Sequence, residues 1–136
     1  MTLSAALKAR LLAGATIAAI TQGRVGRGKQ LQAVPAITLQ IIADPRPQHF
    51  KGFQRVRPTS VQIDVWAADE ATAEVLREHV IAVLVPADAS TDVRFQRAMI
   101  TNIRSGAESQ QAAPGQRIRA ELHRESIDFI FTHNGT

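Results

Sequence analysis

Cysteine is absent from the 136 residues. That excludes disulfides, thiolate-metal sites and cysteine nucleophiles, and it is compatible with a reducing compartment. No apolar run approaches the roughly 20 residues that a membrane span requires. The start, MTLSAALKARLLAGA, lacks the form of a signal peptide, because Lys8 and Arg10 spread its apolar positions and no separate charged region precedes them. A soluble chain with no membrane contact is expected. G-x-S-x-G, G-x-G-x-x-G and H-E-x-x-H do not occur. His49, His79, His123 and His133 have no metal-ligand spacing. No catalytic, cofactor-binding or metal-ligating residue is therefore expected. Acid is nearly missing from the first sixty residues, where Asp44 stands alone against nine Lys/Arg, a net +8. Residues 61–136 carry seven Lys/Arg against eleven acids, a net −4.

What is present reads as one globular domain over residues 1–136, with 45% hydrophobic and 21% charged residues. Leu3, Leu7 and Leu11 form one face of a short helix that Gly14 interrupts. ATIAAI continues as a second short helix, with Gly23 as its terminating glycine. Ile37, Leu39 and Ile41 alternate with Thr38 and Gln40 as a half-buried strand. Residues 44–58, DPRPQHFKGFQRVRP, hold three prolines and four Lys/Arg, which predicts an extended basic arm or long turn. A strand with Val61, Ile63 and Val65 runs to about Trp66. Asp69 caps a helix whose face is Leu76, Val80, Val83 and Leu84, and Pro86 closes it.

Val93, Phe95, Met99 and Ile103 share one parity and predict a further strand, with Arg97 interrupting it. Residues 105–116 read as a polar loop with a Pro-Gly turn. The last strand is apolar at even positions 118, 120 and 122 but at odd positions 127, 129 and 131. That change of parity predicts a bulge or break near 123–126. The tail THNGT is expected to fray. The resulting expectation is an α+β fold. A single, mostly antiparallel sheet of about four or five strands carries helices on one face.

GRVGRGKQ, residues 23–30, approaches the phosphate-binding loop G-x-x-x-x-G-K-[ST]. That loop needs a strand before it, a helix after it and a hydroxyl ligand for magnesium. Here a helix precedes, a strand with Pro35 follows, and Gln30 takes the hydroxyl position. The segment is better read as three cations, Arg24, Arg27 and Lys29, on a glycine-rich loop. They could meet a polyanion or an acidic neighbouring subunit, and a solvated loop is the alternative at each position. Asp64, between Ile63 and Val65, is expected to face solvent or a partner. Trp66, the only tryptophan, either covers the edge of the core or anchors an interface.

The run Val61–Leu84, VQIDVWAADEATAEVLREHVIAVL, resembles the strand–helix signature of the tail-completion proteins of long-tailed phages. The Leu-rich first helix leading to Gly23–Val25, the proline before the strand at 34–42, the basic arm and the closing ESIDFIF agree with it. Ala36 stands where that family has a tyrosine, and the loop at 24–29 is unusually cationic. The resemblance implies a tail-terminator-like fold without catalysis. It implies a homo-oligomeric ring, usually a hexamer, at the top of the tail tube. Its partners would be the tail tube protein and the head–tail connector protein. Its place would be the head–tail junction of a virion or gene transfer agent, with synthesis in the bacterial host cytoplasm. DNA would pass through the lumen. Arg24, Arg27, Lys29, Arg46, Lys51, Arg55 and Arg57 are the candidates for a lumen or subunit interface, and Trp66 for an interface anchor. The alternatives are a small basic DNA-binding protein and a head-side, stopper-like connector. Glu70, Glu74 and Glu78 against Arg77 alone make the helix that begins near Asp69 a poor groove reader.

Overall fold

Two breaks near the N-terminus set the first layer. In the computed structural model, which describes residues 1–27, 33–110 and 120–134, helix α1 (Leu3–Ala13) and helix α2 (Ala15–Thr21) meet at Gly14 with a bend of 96°. Thr2 caps α1 by accepting from the Ala5 amide. A Cβ at Gly14 would lie 3.3 Å from both the Leu11 carbonyl and Val83 Cγ2. The glycine thus lets the bend nest against helix α3 (Glu70–Leu84). α2 stops at Gln22 and Gly23, both with positive φ, as the glycine predicts. α3 has the expected cap, with Asp69 Oδ1 accepting from the Thr72 amide at 2.7 Å.

The sheet has five strands in the order β1-β2-β5-β7-β6. They are β1 (Val25–Arg27), β2 (Ala36–Ala43), β5 (Val56–Ala67), β6 (Met99–Gln110) and β7 (Ala120–Asn134). Only β1 with β2 is parallel; the other pairs are antiparallel. β3 (Gln48–His49) and β4 (Gly52–Phe53) form a separate hairpin within the arm. The α+β expectation is met, with β1 an addition that its Gly-rich sequence concealed.

The helices lie on one face. Leu7, Leu11 and Ile17 join Leu76, Val80 and Leu84 of α3 over Ile37, Val61, Ile63, Val65, Ile127, Phe129 and Phe131, all nearly or fully inaccessible. Burying each such side chain contributes about 1.5–3 kcal/mol. Arg10 enters this layer as well. Its Nη2 donates to the Val83 and Pro86 carbonyls at 2.9 and 3.0 Å, and its guanidinium lies 4.7 Å from the Phe95 ring centre.

Four local expectations are overturned, each for a packing reason. Val93 and Phe95 are buried, but they belong to an irregular segment bridged at Asp88–Phe95 and Phe95–His133. The strand starts only at Met99, where Met99 and Ile103 are 65% and 43% exposed on an edge strand that α3 does not cover. Residues 105–110 continue β6 and are not loop; the rest of 105–116 lies outside the described residues. β7 has no bulge at 123–126 and pairs in register with β5 from His123 to Asn134; the irregularity sits in β6, between Ile100 and Asn102. The parity change arises because β5 ends opposite His123. Beyond it β7 pairs with β6 alone, and Ile118 lies outside the described residues. The core parity instead continues to Glu125. This residue is 3% exposed and is satisfied by Ser105 Oγ at 2.7 Å and Arg77 Nη1 at 3.3 Å. Finally, Thr132–Asn134 of the tail are strand, and His133 is fully buried.

Candidate functional site

β2 ends at Ala43, opposite Ser60, and β5 begins at Val56, where it pairs with Asn134 of β7; the chain between them forms the basic arm. Its root is tied by Asp44. Oδ1 of Asp44 accepts from Arg57 Nε at 2.8 Å, and Oδ2 accepts from Arg46 Nη2 at 2.9 Å. Partial burial pushes the Asp44 carboxyl up, but the hydrogen bonds and charges of Arg57 and Arg46 outweigh it and hold the group below the usual carboxylate range. Thr59 Oγ1 lies 3.3 Å from Asp44 Oδ1 and 2.8 Å from His133 Nε2. His133 Nδ1 lies 3.3 Å from the Asn134 carbonyl, so the ring is held by Thr59 at one nitrogen and by the backbone at the other. Burial pushes the His133 pKa below its ordinary value, which favours the neutral ring at pH 7.

The arm ends in a two-residue turn, Phe50-Lys51, with His49 paired to Gly52 and Gln48 to Phe53. Gly52 has φ +121°, a conformation that favours glycine. The Gln54 amide closes the hairpin onto the Pro47 carbonyl at 2.8 Å. Phe50 is fully exposed and Phe53 is 62% exposed. Two phenyl groups held in water forgo about 1.5–3 kcal/mol each of burial. Reading the arm by its charge alone passed over this pair. The signal that could have found it is two phenylalanines three apart in a proline-flanked polar stretch.

The cations divide by environment. Arg46, Lys51 and Arg55 are exposed on the arm, and the Asp44 carboxylate holds Arg46. Arg57 is buried, 8% exposed, and belongs to the root of the arm. Arg24 and Arg27 are on the other side of β2, and they do not join the arm. Arg24 is half-buried and donates from Nε to the Pro35 carbonyl at 3.0 Å, fastening β1 to the start of β2. Arg27 is exposed at the end of β1. Lys29 lies outside the described residues.

Trp66 is at the opposite end of β5, on the sheet face away from the helices, and is 6% exposed. Its Nε1–H donates to Thr38 Oγ1 at 3.0 Å, and the Arg124 guanidinium sits 5.5 Å from the indole. The indole is thus committed within the chain and offers a neighbour little surface. Asp64, expected to face solvent or a partner, is also only 9% exposed. It accepts from Ser126 Oγ and from Gln62 Nε2.

A surface of opposite sign lies on α3. Ala71, Glu74, Val75, Glu78 and Ala82 are exposed at helical spacing, with Glu70 in the first turn. Val75 is 51% exposed. Arg77, the one cation of the helix, is turned to Glu125 and Glu78. Among the described residues no three His, Asp or Glu side chains converge as a metal site requires. What this geometry offers is two charged surfaces for contact, one basic and aromatic, one acidic.

The model of the family described as tail completion protein gp17 matches residues 5–127, from α1 into β7. No curated protein matches the chain. Among solved structures, the chain is similar to one from the virion of a native gene transfer agent (GTA) particle. The TM-score is 0.68 at 20% identity, over 98% of this chain and 95% of that one. The family match covers most of the chain, and the protein belongs to the tail completion protein gp17 family.

Proposed function

We propose that this member of the tail completion family is a non-catalytic structural subunit of a phage or phage-like particle. It forms a ring, of six copies, at the top of the tail tube and connects the tail to the head connector at the head–tail junction. The observation that carries the reading is the family match across residues 5–127. The shared fold with a chain of a gene transfer agent virion supports it. A ring needs heterologous contacts, in which one surface of a subunit meets a different surface of the next. The basic arm and the acidic α3 face are two such surfaces. Arg27 and Lys29, together with the arm cations Arg46, Lys51 and Arg55, are positioned in this reading for the lumen or the seam between subunits. In the lumen they would meet DNA non-specifically.

The test is electron microscopy of particles from a producer strain lacking the gene. Separate heads beside tails of irregular or excessive length mean that the protein terminates the tube. Tails of normal length that fail to join heads place it on the head side, as a stopper-like connector. Intact, infectious particles overturn both versions. The first-half charge of +8 would then favour a small DNA-binding protein, whose duplex affinity falls steeply with salt.

A further inference from the structure

The arm tip carries two exposed phenyl groups with Lys51 between them and Arg55 beyond. The outer stripe of α3 offers the complement. Val75 provides apolar area, and Glu70 and Glu74 have no ion-pair partner among the described residues. The two surfaces lie at opposite ends of the molecule. The arm leaves at the N-terminal end of β5, and α3 begins just past its C-terminal end, at Asp69. The 12 residues of β5 place these ends about 36 Å apart. Val75 is five residues into α3, which recovers only about 8 Å of that distance. The chain from Val56 back to Phe50, fully extended, spans at most about 20 Å. The arm therefore cannot reach the stripe of its own chain, and any contact between the two joins different copies.

We propose that the arm tip of one copy, Phe50 and Phe53 with Lys51 and Arg55, seats on the α3 stripe Glu70–Glu74–Val75 of the next copy. The inference rests on the ring reading and names the surfaces that build it. A knob at one end and its seat at the other make a head-to-tail contact, which closes a ring when the rotation between copies allows. The Asp44–Arg57 pair at the root fixes the direction in which the arm leaves the sheet.

The absence of cysteine makes the contact testable in assembled particles. Gln54→Cys and Ala71→Cys place one thiol beside each surface and leave every proposed contact residue in place. Particles carrying the double variant, treated with a short bifunctional thiol crosslinker, are expected to give a ladder of covalent multimers. Either single variant alone should give none. A variant that is present in the particles but stays monomeric on the gel overturns the contact and leaves the ring reading standing. Particles that assemble and infect without the chain overturn the ring reading itself. An independent check reverses charge. Lys51→Glu with Arg55→Glu is expected to lower incorporation at least tenfold, and adding Glu70→Lys with Glu74→Lys to restore it. Incorporation unaffected by the first pair, or not restored by the second, overturns the contact as well.

Discussion

Lowering the pH below about 6.5 should destabilise this protein through His133, in a window that its other buried groups do not share. The ring is fully buried, and burial depresses its pKa relative to an unfolded chain, where histidine titrates near 6.5. Below that value the unfolded state binds a proton that the folded state refuses. The slope of unfolding free energy with pH is then positive, and stability falls as pH falls. Between the unfolded and folded pKa values the loss approaches about 1.4 kcal/mol per pH unit. That is a large fraction of the roughly 5–15 kcal/mol of a typical domain. Asp44 also has a lowered pKa, but its contribution is lost only as pH falls below the ordinary carboxylate range, near 4. The region between pH 6.5 and 4.5 therefore isolates the histidine. Urea denaturation of the wild-type chain and of His133→Gln should be measured across that region. The difference between their stabilities is expected to shrink as pH falls through 6.5 and to level off once the folded ring also takes up its proton, because the variant has no proton to refuse at that site. A difference that stays constant from pH 7 to pH 4.5 would refute the assignment of a neutral, enclosed ring.

Two further outcomes follow from side chains already placed. Trp66→Phe removes the indole N–H that donates to Thr38 and should cost about 1–2 kcal/mol. Thermal unfolding measures the loss, and the blue-shifted emission of the buried wild-type indole reports native packing. A variant as stable as wild type would refute the role given to that bond. Arg57→Ala should cost about 2 kcal/mol, because it strips the partly buried Asp44 of its closest cation, whereas Arg55→Ala should leave the melting temperature unchanged. Equal effects from the two arginines would remove the distinction between the root of the arm and its exposed length.

How far the sequence disclosed this molecule depended on whether a local signal matched its tertiary surroundings. α3 was legible to its cap because Asp69 and the Leu76–Val80–Leu84 face obey local rules that packing then uses. The order of elements was legible for the same reason. Met99 and Ile103 misled because apolar alternation signals burial only where something covers the strand, and β6 is an edge. Leu122 misled through the same assumption, applied where β7 outruns β5, and Ile118 lies outside the described residues. Among the candidate cations, composition could not separate Arg57, buried against Asp44, from Arg55 two residues away. The difference is a long-range pairing of β5 with β2 and β7 that no local spacing encodes.

The outrun end of β7 gives this single strand two mechanical characters. From Ile127 to Ile130 it has a neighbouring strand on each side, β5 and β6, and a helical layer above. At Ala120–Leu122 it has β6 alone. Opening the inner stretch requires dismantling the core, whereas the outer pairs separate at the cost of one ladder. The chain thus carries a stiff beam that changes into a compliant two-stranded ribbon at His123, with Gly106 of β6 paired to Arg124 beside the joint. A subunit built in this way can hold one end in fixed register while the other adjusts to whatever it meets.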